Sequence, residues 1–131
     1  MKIKFLSVSL QNEEEKKIEF TSELERSYEN GFDVLFFKEP TKGIPNQIEI
    51  KEGRINIFAG PTTLMMKSNQ WSENPFELDL EGKITSITLY TFLKYLDYDN
   101  EKQIYKFGYD LSYSPNNKDL IGQFNVTLEI E

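Results

Sequence analysis

Between Gln103 and Ser114 the chain reads Gln-Ile-Tyr-Lys-Phe-Gly-Tyr-Asp-Leu-Ser-Tyr-Ser. Tyr105, Phe107, Tyr109, Leu111 and Tyr113 are large and apolar or aromatic, whereas Lys106, Gly108, Asp110 and Ser112 between them are small or charged. A strand sends alternate side chains to opposite faces, so this stretch predicts a β-strand with a bulky inner wall and a solvated outer one. A chain that carries such a strand must supply other strands to pair with it.

The rest of the sequence supplies them. Lys2 to Leu10 predicts a first strand, with Leu6, Val8 and Leu10 on one face and Ile3 to Ser9 on the other. After a charged turn over Gln11 to Glu15, Lys16 to Tyr28 alternates, with Ile18, Phe20, Ser22, Leu24, Arg26 and Tyr28 sharing the inner face. The connection is too short for a crossover, so the two pair antiparallel. Asn30-Gly31 marks a tight hairpin, because both residues tolerate positive φ. Phe32 to Phe37 then reads as a strand that is apolar at almost every position and wants cover on both sides.

Two prolines and Gly43 make Lys38 to Pro45 a loop. Gln47 to Lys51 and Ile55 to Ala59 form a hairpin about Glu52-Gly53-Arg54. Thr62 to Gln70 reads as strand rather than a short helix, and Trp71 to Pro75 as loop. Phe76, Leu78 and Leu80 then alternate with acids up to Gly82. Lys83 to Asp97 is read as one long strand bulged near Phe92, with Ile87, Leu89, Thr91, Leu93 and Tyr95 on one face, because no cap is available for a helix there. Leu120 to Ile130 closes the chain, with Phe124, Val126, Leu128 and Ile130 inward. The expected fold is all-β, a single-domain antiparallel up-and-down meander of about eight to ten strands, and a sheet that wide curls into a barrel or splits into a sandwich.

Composition narrows function mainly by exclusion. The 131 residues contain no histidine and no cysteine, which removes Ser-His and Cys-His nucleophile pairs, thiolate chemistry and histidine metal sites. No phosphate-cradling glycine loop is present. The expectation is therefore a protein that is not an enzyme, with no cofactor and no metal. A net charge of −7 with scattered lysines argues against nucleic acid or an anionic membrane as partner. Absence of cysteine and of an uninterrupted apolar N-terminal run fits a cytoplasmic location. Asp97-Tyr98-Asp99-Asn100-Glu101 begins like a calcium loop but has Lys102 where the sharp turn needs glycine, and reads as a solvated turn.

Arg26 is the polar residue that stands out, because it lies in phase with Phe20 and Leu24. Inside a barrel, a guanidinium can hold a ligand carboxylate through two parallel hydrogen bonds. The preferred reading places Arg26 at the strand end, snorkelling to water. Tyr105, Tyr109 and Tyr113 either fill the core with their hydroxyls at the rim, the preferred reading, or wall a cavity. With Ser22 on the same inner face, these are the candidate ligand-binding residues.

The order of features adds a resemblance. A serine-bearing first strand and a Glu-rich turn precede Ile18-Glu19-Phe20-Thr21. Beyond Asn30-Gly31, an aromatic strand ends in Phe37-Lys38-Glu39. An Ile-x-Ile hairpin leads to Ile55-Asn56-Ile57-Phe58-Ala59-Gly60, and Tyr109-x-Leu111 leads to Leu120-Ile121-Gly122 and a last strand. Across the whole chain this resembles the bacterial YwiB-like family, calycin-type small β-barrels of unknown function. The resemblance implies a closed or nearly closed calycin/lipocalin-like barrel and no activity. Of the family's Tyr-Glu-Glu only Glu39 carries over, and through the resemblance it joins Arg26, Ser22, Tyr105, Tyr109 and Tyr113 as a candidate ligand-binding residue. Its arginine two residues before a glycine falls on Phe58, and its Tyr-Gly turn is reduced to Glu81-Gly82.

Two functions follow as expectations. The first is a non-catalytic barrel that binds a small apolar or amphipathic molecule in its interior. The alternative is a filled barrel that works as a protein-interaction or homo-oligomeric module, for instance a homodimer. A carboxylate-dependent enzyme ranks third.

Overall fold

The computed structural model describes all 131 residues and contains ten strands joined in chain order. They are β1 (Lys2–Gln11), β2 (Glu14–Glu29), β3 (Phe32–Lys38), β4 (Pro45–Lys51), β5 (Arg54–Ala59), β6 (Thr62–Lys67), β7 (Trp71–Leu80), β8 (Lys83–Asp99), β9 (Ile104–Ser112) and β10 (Leu120–Ile130). One sheet runs in the order β6-β5-β4-β3-β2-β1-β10-β9-β8-β7. The chain is an antiparallel meander whose first and last strands pair, Phe5 opposite Leu128. The expected all-β barrel is what forms. The one helical turn is the 3-10 segment Asn117–Asp119, and no helix is long and apolar enough to cross a membrane.

Turn chemistry sets the registers. Asn30 and Gly31 have φ of 53° and 83°, the left-handed pair that a two-residue hairpin requires. Glu29 therefore pairs with Phe32, Tyr28 with Asp33 and Arg26 with Leu35. The turn at Asp99 is equally local, because its carboxylate accepts the amides of Glu101 and Lys102 at 3.1 Å.

Alternation then builds the core. Ile3, Leu24, Leu35, Phe37, Ile48, Ile55, Met66, Leu93, Phe107 and Leu128 are among sixteen buried residues in one cluster, with Phe5, Phe20 and Phe124 packed against it. Phe5, Phe20 and Phe37 form a triangle of rings 4.8 to 6.0 Å apart. This apolar cluster fills the middle of the barrel.

Several expectations are corrected. Trp71 to Pro75 is not a loop but the start of β7, and Pro75 is tolerated because β7 is the terminal strand of the sheet. The bulge in β8 falls at Lys94, between Leu93 and Tyr95, so Tyr95 turns outward and Leu96 and Tyr98 take the inner face. Thr62–Lys67 and all of Lys83–Asp99 are strand, as expected. β3 lies between β2 and β4 and offers no free edge. On its outer side Val34 is nearly buried, and the Lys51 ammonium sits 4.4 Å above the Phe32 ring. Ile18 and Tyr28, at the two ends of the expected inner row of β2, are exposed where β2 has a neighbour on one side only, β1 at Ile18 and β3 at Tyr28.

Candidate functional site

The hairpin register places Asp33 diagonally across from Arg26 on the inner face, within reach of a long side chain. Arg26 Nε donates to Asp33 Oδ1 at 2.9 Å and an Nη donates to Oδ2 at 2.7 Å. The other Nη donates to Gln103 Oε1 at 3.1 Å, and the Tyr105 hydroxyl donates to Asp33 Oδ2 at 2.5 Å. The Arg26 side chain is only 12% exposed. It does not snorkel to water. It makes the two parallel bonds expected of a carboxylate receptor, with a carboxylate of its own chain.

Electrostatics follow from this pairing. Hydrogen bonds to Asp33 hold the Arg26 pKa above its already high ordinary value, so the guanidinium stays charged. Burial, and then the bond to Asp33, pushes the Tyr105 hydroxyl well above the usual phenol range. Tyr105 is therefore a fixed donor at neutral pH. The Tyr98 ring stacks on Tyr105 at 4.2 Å and is 38% exposed. In front of these rings a cleft of about 280 Å³ opens at this end of the barrel, bounded by Ile50, Lys51, Leu96, Tyr98 and Tyr105.

The other expected residues lie elsewhere. Ser22 donates to the Lys38 carbonyl at 2.7 Å, where β2 passes from pairing with β1 to pairing with β3. Glu39 caps the following turn, accepting the amides of Thr41 at 2.6 Å and Lys42 at 2.8 Å, and those bonds lower its pKa. Tyr109 is core, stacked on Phe124 at 4.9 Å, with burial raising its pKa. Tyr113 lies past the end of β9 and is 66% exposed, so it belongs neither to core nor to cavity.

Of the six, the structure brings together only Arg26 and Tyr105. The residues that join them, Asp33 and Gln103, are not picked out by the sequence reading. A signal for Asp33 existed: it is the one acid in an apolar run, and the Asn30-Gly31 turn fixes its register against Arg26.

Comparison with known proteins is consistent with this architecture. No family model matches the chain. An uncharacterized protein of Mycoplasmopsis pulmonis (strain UAB CTIP) is 32% identical over 132 positions, covering 99% of this chain and 98% of that one. The crystal structure of the ywiB protein from Bacillus subtilis is similar with a TM-score of 0.69, across 99% of this chain and 90% of that one, at 16% identity. That likeness is one of fold. The chain therefore belongs to one family with the Mycoplasmopsis pulmonis protein, and its barrel is of the YwiB-like kind that the order of its strands suggested.

Proposed function

We propose that the protein is a non-catalytic, cytoplasmic binding barrel that takes a small amphipathic molecule at the mouth beside Tyr98 and Tyr105. One observation carries this reading: the partly exposed Tyr98, stacked on the buried Tyr105, faces an open cleft directly beside the buried Arg26–Asp33 pair. Side chains fill the barrel's middle, so the ligand sits at the mouth rather than deep inside. At about 280 Å³ the cleft lies just below the range of drug-sized pockets, roughly 300 to 1,000 Å³, which suits a compact ligand. Its apolar part rests on Leu96 and Tyr98. Its polar end meets water at the open side, because Asp33 already occupies the guanidinium.

The test is native mass spectrometry of protein purified from cells, with titration of dansyl-undecanoic acid as a fluorescent probe. Bound small molecule and saturable probe emission, both weakened by Tyr98→Ala and by Leu96→Glu, support the reading. A bare monomer, or probe binding indifferent to both substitutions, overturns it. The second reading, a homodimer, has its own observation. Lys83 to Leu89 of β8 pair only with β7, and this projecting ribbon exposes Leu78, Leu80 and Ile84. A discrete dimer mass that Leu80→Lys abolishes would favour it.

A further inference from the structure

Register places an unusual row on the outer face of the barrel. The Lys51 ammonium lies over the Phe32 ring, Lys51 pairs with Arg54, and Arg54 pairs with Lys67. Three cations thus stand side by side across three strands. Directly opposed like charges in a sheet destabilise it, and a chain with 22 acids and 15 bases has ample carboxylate to neutralise them. Yet the ion pairs of the protein are Lys4–Glu131, Lys17–Glu19, Arg26–Asp33 and Lys94–Asp110. None of the three cations in the row takes part.

The row ends in a cavity. Arg54 and Lys67 line an outer cleft of about 500 Å³ with Phe32 and Trp71, and Glu73 on the same lining. Lys67 bridges to Gln70, which brings the chain back so that Trp71 closes the far side. The Trp71 ring packs against Phe92 at 5.3 Å and is thereby held as a half-buried aromatic wall. A guanidinium and an ammonium without a protein partner, set beside such a wall, match an anion joined to a planar ring. The guanidinium fork suits phosphate oxygens, the ammonium adds a point charge, and the indole offers a stacking face. Glu73 disfavours a ligand that is anionic throughout and can accept from an amino group on the ring.

We propose that this outer cleft is a binding site for a small aromatic phosphate, with its phosphate on Arg54 and Lys67 and its ring on Trp71. It is separate from the mouth cleft and shares no lining residue with it.

Trp71 is the single tryptophan of the chain, so its fluorescence reads this site alone. The probe is adenosine 5′-monophosphate, titrated against adenosine and inorganic phosphate. The expected result is saturable quenching by the nucleotide at submillimolar concentration. Adenosine should bind at least about tenfold more weakly, and so should the nucleotide to the Arg54→Ala/Lys67→Ala double variant, each loss reflecting a missing charge-assisted contact. Both side chains lie on the outer face, and an unchanged circular dichroism spectrum confirms the fold. Should it change, the single variant Lys67→Gln makes the same comparison. Absence of saturable quenching up to millimolar nucleotide overturns the proposal. Equal affinity for adenosine, or undiminished binding by a folded variant, overturns it as well. Because the mouth-cleft probe does not report on Trp71, either reading can fail without the other.

Discussion

Arg26 and Asp33 form a charged pair inside a barrel end, where taking ions out of water costs several kcal/mol each before their attraction is counted. Such a pair is weak evidence of net stabilisation, but removing one partner leaves the other charge buried and alone. With Asp33 6% exposed and the Arg26 side chain 12% exposed, Asp33→Ala should lower stability by about 3 kcal/mol. Arg26→Met combined with Asp33→Leu should lose clearly less than the sum of the single changes. Urea denaturation of the wild type, Asp33→Ala, Arg26→Met, Asp33→Leu and the double variant measures both quantities. A cost for Asp33→Ala below about 0.5 kcal/mol, the range of a plain surface substitution, would show the pair to be solvated. The Tyr105 hydroxyl enters the same account, since it also donates to Asp33 and loses its acceptor in Asp33→Ala.

Within the strands, alternation was the legible signal, and it located Tyr105, Phe107 and Tyr109 of β9 and Val126, Leu128 and Ile130 of β10, beyond the register shift at Leu120–Gly122. It did not show that Asp110 and Ser112, on the face of β9 expected to be solvated, are buried as well. It misled where the phase changes. At the β8 bulge Lys94 becomes the extra residue, and its ammonium reaches Asp110 Oδ1 at 3.0 Å. Tyr95 is turned outward, lies across Gly108 and bonds Asn125 Oδ1 at 2.7 Å. No count of apolar positions could have placed that bulge to the residue, since Phe92, Leu93 and Leu96 satisfy either phase. Pro75 misled in another way, because its meaning depends on whether a strand lies at the sheet's end, which is a fact about the whole chain. The site was less legible than the fold: Arg26 was visible from its phase, whereas Asp33 needed the hairpin register worked through. The Tyr95–Gly108 crossing carries its own test. A Cβ on Gly108 would collide with Tyr95 Cε1, so the ring must move and give up Asn125. Gly108→Ala should cost about 1 to 3 kcal/mol, the usual range for overpacking. In a Tyr95→Ala background the same substitution should cost almost nothing. An equal cost in both backgrounds, by thermal denaturation, would locate the strain elsewhere.

Across the whole molecule the sheet does not close by a backbone ladder, since β6 and β7 are the two ends of the strand order. The seam between them is closed by side chains. Asn74, 3% exposed, presents its amide to Met65 as a strand edge would: its Oδ1 accepts from Met65 N at 2.6 Å and its Nδ2 donates to Met65 O at 3.2 Å. Thr91, fully buried, donates to the same carbonyl at 2.8 Å and accepts from Asn74 Nδ2 at 3.1 Å. One parallel bridge, Ser68 to Leu93, and the Asn69 amide on the Leu93 carbonyl at 2.9 Å complete the join. A ladder shares its load over many bonds, whereas this seam has few, and two of them are made by one carboxamide. Asn74→Leu keeps the branched shape and removes the amide, leaving the Met65 N–H without its acceptor, while the Met65 carbonyl keeps only the Thr91 hydroxyl. The expected global loss is about 1 to 3 kcal/mol, the cost of leaving buried polar groups unsatisfied. The local effect should be larger than the global one, because Thr62–Lys67 is held on its other side only by β5. Hydrogen exchange followed by mass spectrometry should show faster exchange in peptides spanning β6 and the start of β7, while β1, β9 and β10 change only by the global amount. Uniform acceleration over all ten strands would mean that the barrel opens as one unit and that the seam is no weaker than the ladders.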